Sequence, residues 1–245
     1  MISVASLPAV ETFATIDSTN AEAKRRALSG QRGPVWLRAD IQTNGVGRSG
    51  REWYSPTGNL FATLLMPFAG ELRHAALVSF VACLAVADTI DAFAPASCVS
   101  LKWPNDALLD DKKVAGVLLE AGGEAGRHWL AVGIGINLTE KPTEYRWPPI
   151  ALADVVSPPP SPSAALETLS SSFDHWQKRF ESSGFSPVRE AWLARAANVG
   201  ERIEARLTNA THTGIFQGLG EDGSLILSTT DGDIRVTAAD IHFPT

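Results

Sequence analysis

Two cysteines among 245 residues, Cys83 and Cys98, are too few for a disulfide framework and show no metal-ligand spacing. Cys83 sits inside an apolar helical stretch and Cys98 just ahead of a strand, so both read as small buried hydrophobes of a reducing compartment. A surplus of positive charge is missing too. With 21 Lys and Arg against 27 Asp and Glu the net charge is −6, so bulk electrostatics imply neither a nucleic-acid surface nor an anionic membrane, while a local basic site stays open. Met1 to Val10 lacks a basic segment followed by an apolar run, so no signal peptide is expected. The apolar run from Leu77 to Val86 is too short to span a bilayer. These absences make a cytoplasmic protein the expectation. What is present, 44% hydrophobic and 20% charged residues, suits a soluble globular chain with a sizeable core, as one large domain or a main domain with an appendage.

The stretch Gln42 to Trp53 is the most unusual in composition, with Gly45, Gly47 and Gly50, the arginines Arg48 and Arg51, and an aromatic at its end. Glycine allows positive φ and close approach of backbone amides to a ligand. Arginine adds a planar cation that suits phosphate or carboxylate. Val35–Leu37 before it and Leu60–Leu65 after it are apolar, so it reads as a loop between two strands that closes on an anion. A mobile surface hairpin explains the same composition equally well.

Upstream, Thr12 to Ile16 reads as a short strand followed by Asp17-Ser18-Thr19-Asn20. Thr19 with Glu22 fits a capping box for a helix over 21–28 that Gly30 ends. One cap needs one such residue, and four polar side chains cluster here at a strand end, where ligands bind in open α/β sheets. Downstream, 74–92 has a helical apolar period, and a strand over 98–101 leads into Lys102-Trp103-Pro104-Asn105-Asp106. Pro104 disfavours helix at Trp103, so the chain turns where a cation, an amide and a carboxylate gather. Residues 107–109 and 114–120 read as a hairpin with the charged tip 110–113, and Gly116 marks a close approach to the backbone. Gly133-Ile134-Gly135-Ile136-Asn137 ends the next strand, with its glycines on one bare face against which a flat ring or a packed helix fits. A proline-rich stretch, 139–162, precedes helices over about 162–180 and 188–197. From Gly200 onward, alternating apolar residues and the turns at 221–224 and 230–233 suggest a small all-β appendage.

Taken in series, Asp17-Ser18-Thr19-Asn20, the glycine-arginine loop, Lys102-Trp103-Pro104-Asn105-Asp106, Lys113-Val114-Ala115-Gly116 and Gly133 to Asn137 resemble the biotin–protein ligases. The resemblance covers nearly the whole chain. It implies an α+β fold, with a mixed-sheet, class II synthetase-like catalytic domain of the biotin/lipoate ligase type over 1–198 and a C-terminal SH3-like β-barrel over 199–245.

The resemblance also implies the chemistry: biotin and ATP with Mg2+ give biotinyl-adenylate and pyrophosphate, and the biotinyl group then passes to a lysine of a biotin carboxyl carrier domain. By the same analogy Ser18, Thr19, Asn20 and Gln42 line the biotin head, Gly45, Val46, Gly47 and Gly116 surround it, and Arg48 sits over the carboxylate and α-phosphate. Arg48, Lys102 and Lys113 are the catalytic candidates, because two anions must be brought together. Arg51, Trp53, Lys102, Asn105, Asp106, Gly133, Gly135 and Asn137 would meet the nucleotide, with Asp106 also a metal candidate. The family usually has arginine at Val46 and alanine at Asn44, and a basic or small residue at Ser49 and Glu52. Sixteen residues before Asp17 are too few for a winged helix, so no DNA-binding role is expected; a homodimer through a sheet edge stays open. Two alternatives remain: a lipoate or octanoate ligase or transferase of the same fold, and a non-catalytic biotin sensor.

Overall fold

The computed structural model describes residues 7–124, 126–143, 148–207 and 209–242. Strand β1 (Ala9–Ile16) leads into helix α1 (Thr19–Leu28), then come β2 (Val35–Gln42) and β3 (Leu60–Phe68). Helices α2 (Leu72–Ala75) and α3 (Val78–Phe93) precede β4 (Val99–Lys102), β5 (Asp106–Leu109), β6 (Lys112–Gly122) and β7 (His128–Ile136). These seven strands form one sheet in the order β1-β2-β3-β7-β6-β5-β4. Only the β1–β2 pair is parallel, joined by the α1 crossover, and the other pairs are antiparallel. Helices α4 (Pro162–Ser183) and α5 (Phe185–Ala194) follow, and then β8 (Arg202–Arg206), β9 (Thr211–Leu219), β10 (Leu225–Thr229), β11 (Gly232–Val236) and β12 (Asp240–His242). The last five make a separate antiparallel sheet ordered β11-β10-β9-β8-β12. The architecture is the α+β mixed sheet with an all-β C-terminal unit that the motifs imply.

The core forms where the apolar face of α3 meets the sheet. Val78, Val81, Leu84, Ala85 and Ile90 are all essentially buried, and α4 adds Leu166, Leu169 and Phe173 to the same cluster. Truncating a side chain such as Leu84 to alanine would cost about 2–5 kcal/mol, mostly for the cavity it leaves. The helical stretch 72–93 is longer than the apolar run suggests and is long and apolar enough to cross a membrane, but about two thirds of its apolar window, 67%, is buried inside the protein. It is used as a core helix. Trp36 Nε1 donates to Ser170 Oγ at 2.9 Å within the core, tying α4 to β2.

Three local expectations are corrected. Helix α1 starts at Thr19, and its cap is Ser18, whose extended backbone lets Oγ accept from the Ala21 amide at 3.4 Å. Thr19 does not cap, because its hydroxyl is turned toward Gln42 and Thr63; Glu22 binds Arg25 and Arg26 instead of reaching back. The β5–β6 hairpin turns on Asp110 and Asp111 alone, both at positive φ (48° and 61°), which leaves Lys112 and Lys113 inside β6. Such a two-residue turn matches the strand twist. Finally, Cys98 is exposed: it precedes the outermost strand β4, and its backbone is held by Asp110, whose Oδ1 accepts from the Cys98 amide at 3.0 Å and whose amide donates to the Cys98 carbonyl at 2.9 Å.

Candidate active site

A cleft, open to solvent at its mouth, runs along the strand ends where β2, β3, β5, β6 and β7 deliver their loops. Of the residues singled out in the sequence, Ser18, Thr19, Asn20, Gln42, Val46, Gly47, Arg48, Arg51 and Trp53 line it. So do Lys102, Asn105, Asp106, Lys113, Gly116, Gly133 and Gly135. Gly45 and Asn137 do not. Gly45 is packed behind the wall, where a Cβ would stand 2.5 Å from Ser55 Oγ and 2.7 Å from the Trp53 carbonyl. Asn137 is buried, donates to the Ile150 carbonyl at 3.1 Å and borders a small neighbouring hollow with Tyr54 and Pro149.

The glycine-arginine loop is folded back on itself. Val46 bridges Glu52 in antiparallel fashion, the Gly47 amide donates to the Arg51 carbonyl at 2.7 Å, and the Trp53 amide donates to Gly45 at 2.9 Å. Ser49 (φ 58°) and Gly50 (φ 71°) make the tight return at the tip. The loop's base is fastened to the end of β1 through Thr43 N to Ile16 O and Asn44 N to Asp17 O, at 2.9 and 2.8 Å. Val46 thus takes part through its backbone, and its side chain is partly exposed.

At one end of the cleft the polar groups are neutral. Ser18, Thr19 and Asn20 are nearly buried. Gln42 Oε1 accepts from the Thr19 amide at 2.8 Å, and Gln42 Nε2 donates to Ser55 Oγ at 3.1 Å. Behind them Asn20 Nδ2 donates to Glu120 at 3.0 Å and to the Leu118 carbonyl at 3.3 Å. Thr63, Ser55 and Glu120 therefore belong to the site's support, although nothing in their sequence context marks them.

The other end is cationic. Lys113 Nζ lies 2.7 Å from Asp106 Oδ1 and 5.3 Å from the centre of the Trp53 ring. Arg48 reaches Asn105 Oδ1 at 3.5 Å. Burial pushes the Lys102 amine below its ordinary pKa, and the nearby Asp106 carboxylate opposes that push. Burial likewise depresses Arg48, against the pull of Asp240 and Asp106, but a guanidinium keeps its charge at any usable pH. Asn105 Nδ2 is anchored on the Val117 carbonyl, so its oxygen points to Arg48.

Trp53 lies on the bare face of β6 and β7. A Cβ at Gly135 would stand 2.5 Å from the indole Cε2 and Nε1, and one at Gly116 would stand 3.1 Å from its Cζ3. The flat ring that this glycine face accommodates is, in this arrangement, the chain's own tryptophan. Gly133 faces the Asn20 side chain instead. The indole Nε1 is buried without a hydrogen-bond partner among the described residues.

The far wall comes from residues that no motif marks. Ala239, Asp240, Ile241 and His242 line the cleft, and Arg51 pairs with Asp240 at 2.5 Å. Trp103 Nε1 donates to the Gly223 carbonyl at 3.0 Å, a second tie to the C-terminal sheet. A three-residue strand without alternation carries no signal that it returns to a site.

A magnesium site does not follow from these residues. Among the described residues no group of three or more His, Cys, Asp or Glu side chains gathers, and Asp106 Oδ1 is already engaged by Lys113.

A family model described as the Biotin/lipoate A/B protein ligase family matches residues 12–137, and one described as the Biotin protein ligase C terminal domain matches residues 199–243. The chain is 42% identical over 238 residues to the biotin--[acetyl-CoA-carboxylase] ligase of Paracoccus denitrificans, covering 94% of this chain and 99% of that protein. It is 30% identical over 213 residues to the bifunctional ligase/repressor BirA of Bacillus subtilis (strain 168), covering 83% of this chain and 64% of that protein. Among solved structures, a biotin protein ligase from Aquifex aeolicus in complex with biotin and ATP superposes with a TM-score of 0.80 at 26% identity, covering 95% of this chain and 97% of that one. The chain therefore belongs to the biotin/lipoate A/B protein ligase family, and within it to the biotin protein ligases.

Proposed function

We propose that the protein activates biotin with ATP and transfers it to one lysine of a biotin carboxyl carrier domain in the cytoplasm. The observation that carries this reading is the continuity of a neutral, hydrogen-bonding end with a cationic end in one cleft. A ureido head has no charge and is held by donors and acceptors, which Ser18, Thr19 and Gln42 supply. The acyl chain then leads its carboxylate toward Arg48 and Lys113. In the first step a carboxylate oxygen attacks the α-phosphorus of ATP, the bond to the β-phosphate bridge breaks, and pyrophosphate leaves with that electron pair. Carboxylate and triphosphate repel each other, so the contribution of Arg48, Lys102 and Lys113 is to offset that repulsion and to hold the groups in line. When bound with ATP, magnesium neutralises phosphate charge.

In the second step the carrier's lysine amine attacks the acyl carbon of the mixed anhydride, an amide forms and AMP departs. The nucleophile comes from the partner, so a Ser-His-Asp or Cys-His set is unnecessary. Until then the anhydride must be kept from water, a role that suits the folded-back loop, Trp53 and the wall made by Asp240 to His242. We divide the chain after residue 198, and on this reading both units are needed because both line the cleft. A second copy would pair along β1, the outermost strand on its side of the sheet.

Labelled biotin, lipoate and octanoate, each offered with ATP and magnesium to a carrier domain, test the reading. Transfer of biotin alone is expected. Transfer of lipoate or octanoate would reassign the substrate, and biotin binding without ATP–pyrophosphate exchange would leave a sensor.

A further inference from the structure

Thr63, in the middle of β3, is fully buried and does not line the cleft, yet its hydroxyl touches two side chains of the neutral end. It lies 2.8 Å from Thr19 Oγ1 and 2.6 Å from Asn20 Oδ1. Valine has the same shape, so packing alone does not ask for a hydroxyl here.

Counting protons gives that hydroxyl a task. Asn20 Nδ2 faces two pure acceptors, Glu120 at 3.0 Å and the Leu118 carbonyl at 3.3 Å, so Asn20 Oδ1 must face Thr63. An amide oxygen only accepts, so the single Thr63 proton goes to it. With the Thr63 proton on Asn20, the two threonine oxygens at 2.8 Å cannot face each other with lone pairs alone, so the Thr19 hydroxyl turns to Thr63 rather than to Gln42 Oε1, which is farther at 3.1 Å and already accepts the Thr19 amide. With its proton used, Thr19 Oγ1 offers the cleft lone pairs only. Gln42 is determined in the same way. Its Oε1 accepts the Thr19 amide at 2.8 Å, and its Nε2 donates to Ser55, whose own proton goes to the Trp53 carbonyl at 2.7 Å. One Nε2 hydrogen is left over. The neutral end thus presents an acceptor at Thr19 and a donor at Gln42, the complement of an N–H beside a C=O.

We infer that Thr63 is a positioning residue that sets the hydrogen-bond polarity of the ligand site by holding the Thr19 hydroxyl as an acceptor. The inference rests on the biotin reading above, which supplies the ureido N–H. Without the Thr63 oxygen, the Thr19 proton turns to Gln42 Oε1, 3.1 Å away, or into the cleft, and the site no longer has one defined polarity.

The test is biotin-dependent ATP–pyrophosphate exchange in Thr63→Val and Thr63→Ser. Thr63→Val should raise the KM for biotin about tenfold, with KM for ATP and kcat within about twofold of the parent, while Thr63→Ser restores the parent value. Because Thr63→Val acts on Thr19 and also leaves Asn20 Oδ1 without its donor, adding it to Thr19→Val should raise the biotin KM by clearly less than it does in the parent. An unchanged biotin KM in Thr63→Val, an equal rise in both KM values, failure of Thr63→Ser to rescue, or additive losses in the double variant would each overturn the inference. Should Thr63→Val fail to fold, Thr63→Cys, close in size and a far weaker donor, is measured in its place with the same expectation. Absence of biotin-dependent exchange in the parent protein would remove the biotin reading and this inference together; exchange in the parent that the variants leave unmoved would remove this inference alone.

Discussion

At one end of the cleft, Thr19, Asn20 and Gln42 carry no formal charge and are held in place by groups behind them, among them Thr63, Ser55, Glu120 and the Leu118 carbonyl. At the other, Arg48, Arg51, Lys102 and Lys113 carry charge and come from a loop and two strands, with Asp106 and Asp240 between them. The neutral end gains its specificity from direction, since a misdirected donor leaves a buried group unsatisfied. The cationic end gains its effect from charge concentration, which tolerates displacement better than it tolerates loss. Substitutions that preserve charge should therefore be mild at the second end, and substitutions that preserve shape should be harmful at the first.

The largest effect should come from Lys113→Ala. On the proposed function it removes a cation from the point where carboxylate and phosphate meet, and it leaves Asp106 without that cation, so biotin-dependent exchange should fall about a hundredfold to a thousandfold. Exchange within tenfold of the parent would mean that Lys113 does not face the reacting groups. Arg48→Gly should be next. Dissociation of biotinyl-adenylate should accelerate about tenfold to a hundredfold, as expected for loss of a charged hydrogen-bond donor, and the freed anhydride should label bystander proteins; stopped-flow release measures the first and a bystander assay the second.

Lys102 supplies a subtler contrast through pH. Its pKa is lowered by burial, so the charged fraction falls away at a lower pH than for an ordinary lysine. An exchange rate that needs the cation should decline as pH rises through that depressed value, giving an alkaline limb below the usual lysine range. Lys102→Arg keeps the charge and should remove the limb while leaving the plateau within about tenfold; an identical pH profile in the variant would assign the limb elsewhere. The smallest effect belongs to Asp240→Asn. The Arg51–Asp240 pair is about half exposed on both sides, and such pairs are worth about 0–1 kcal/mol, so KM for ATP should change less than about fivefold. Burial works to raise the Asp240 pKa, but Arg51 and Arg48 hold it below its ordinary value, so it is charged at neutral pH and steadies the charge on Lys102. Its removal should shift the alkaline limb further down, and an upward shift would contradict the placement.

Much of this site was legible because its residues are adjacent in sequence where backbone geometry demands it. Gly135 is glycine because Trp53 lies against it, and the Gly47 to Arg51 segment carries small residues because it folds back on itself, with Gly50 at positive φ. In sequence the hairpin tip spans Asp110 to Lys113, since Asp and Lys both suit a polar turn, and only positive φ picks out Asp110 and Asp111. Thr63 was illegible, as a threonine inside an apolar strand looks like β propensity. Asp240 was illegible for another reason: β12 is three residues long and nothing local says that it borders the catalytic sheet's cleft.

By itself, the sequence determined the element order, the glycine faces, the cations and the neutral polar cluster, because these depend on local conformation and on side-chain chemistry that is present in any fold. Only the tertiary structure decided that Trp53 occupies the bare glycine face, that Asp106 is spoken for by Lys113, that the C-terminal strand walls the cleft, and which way the protons of Thr19 and Thr63 run. Those outcomes depend on distances between groups up to nearly two hundred residues apart in the chain, as with Arg51 and Asp240, and a hydrogen bond has no direction until both of its partners are in place.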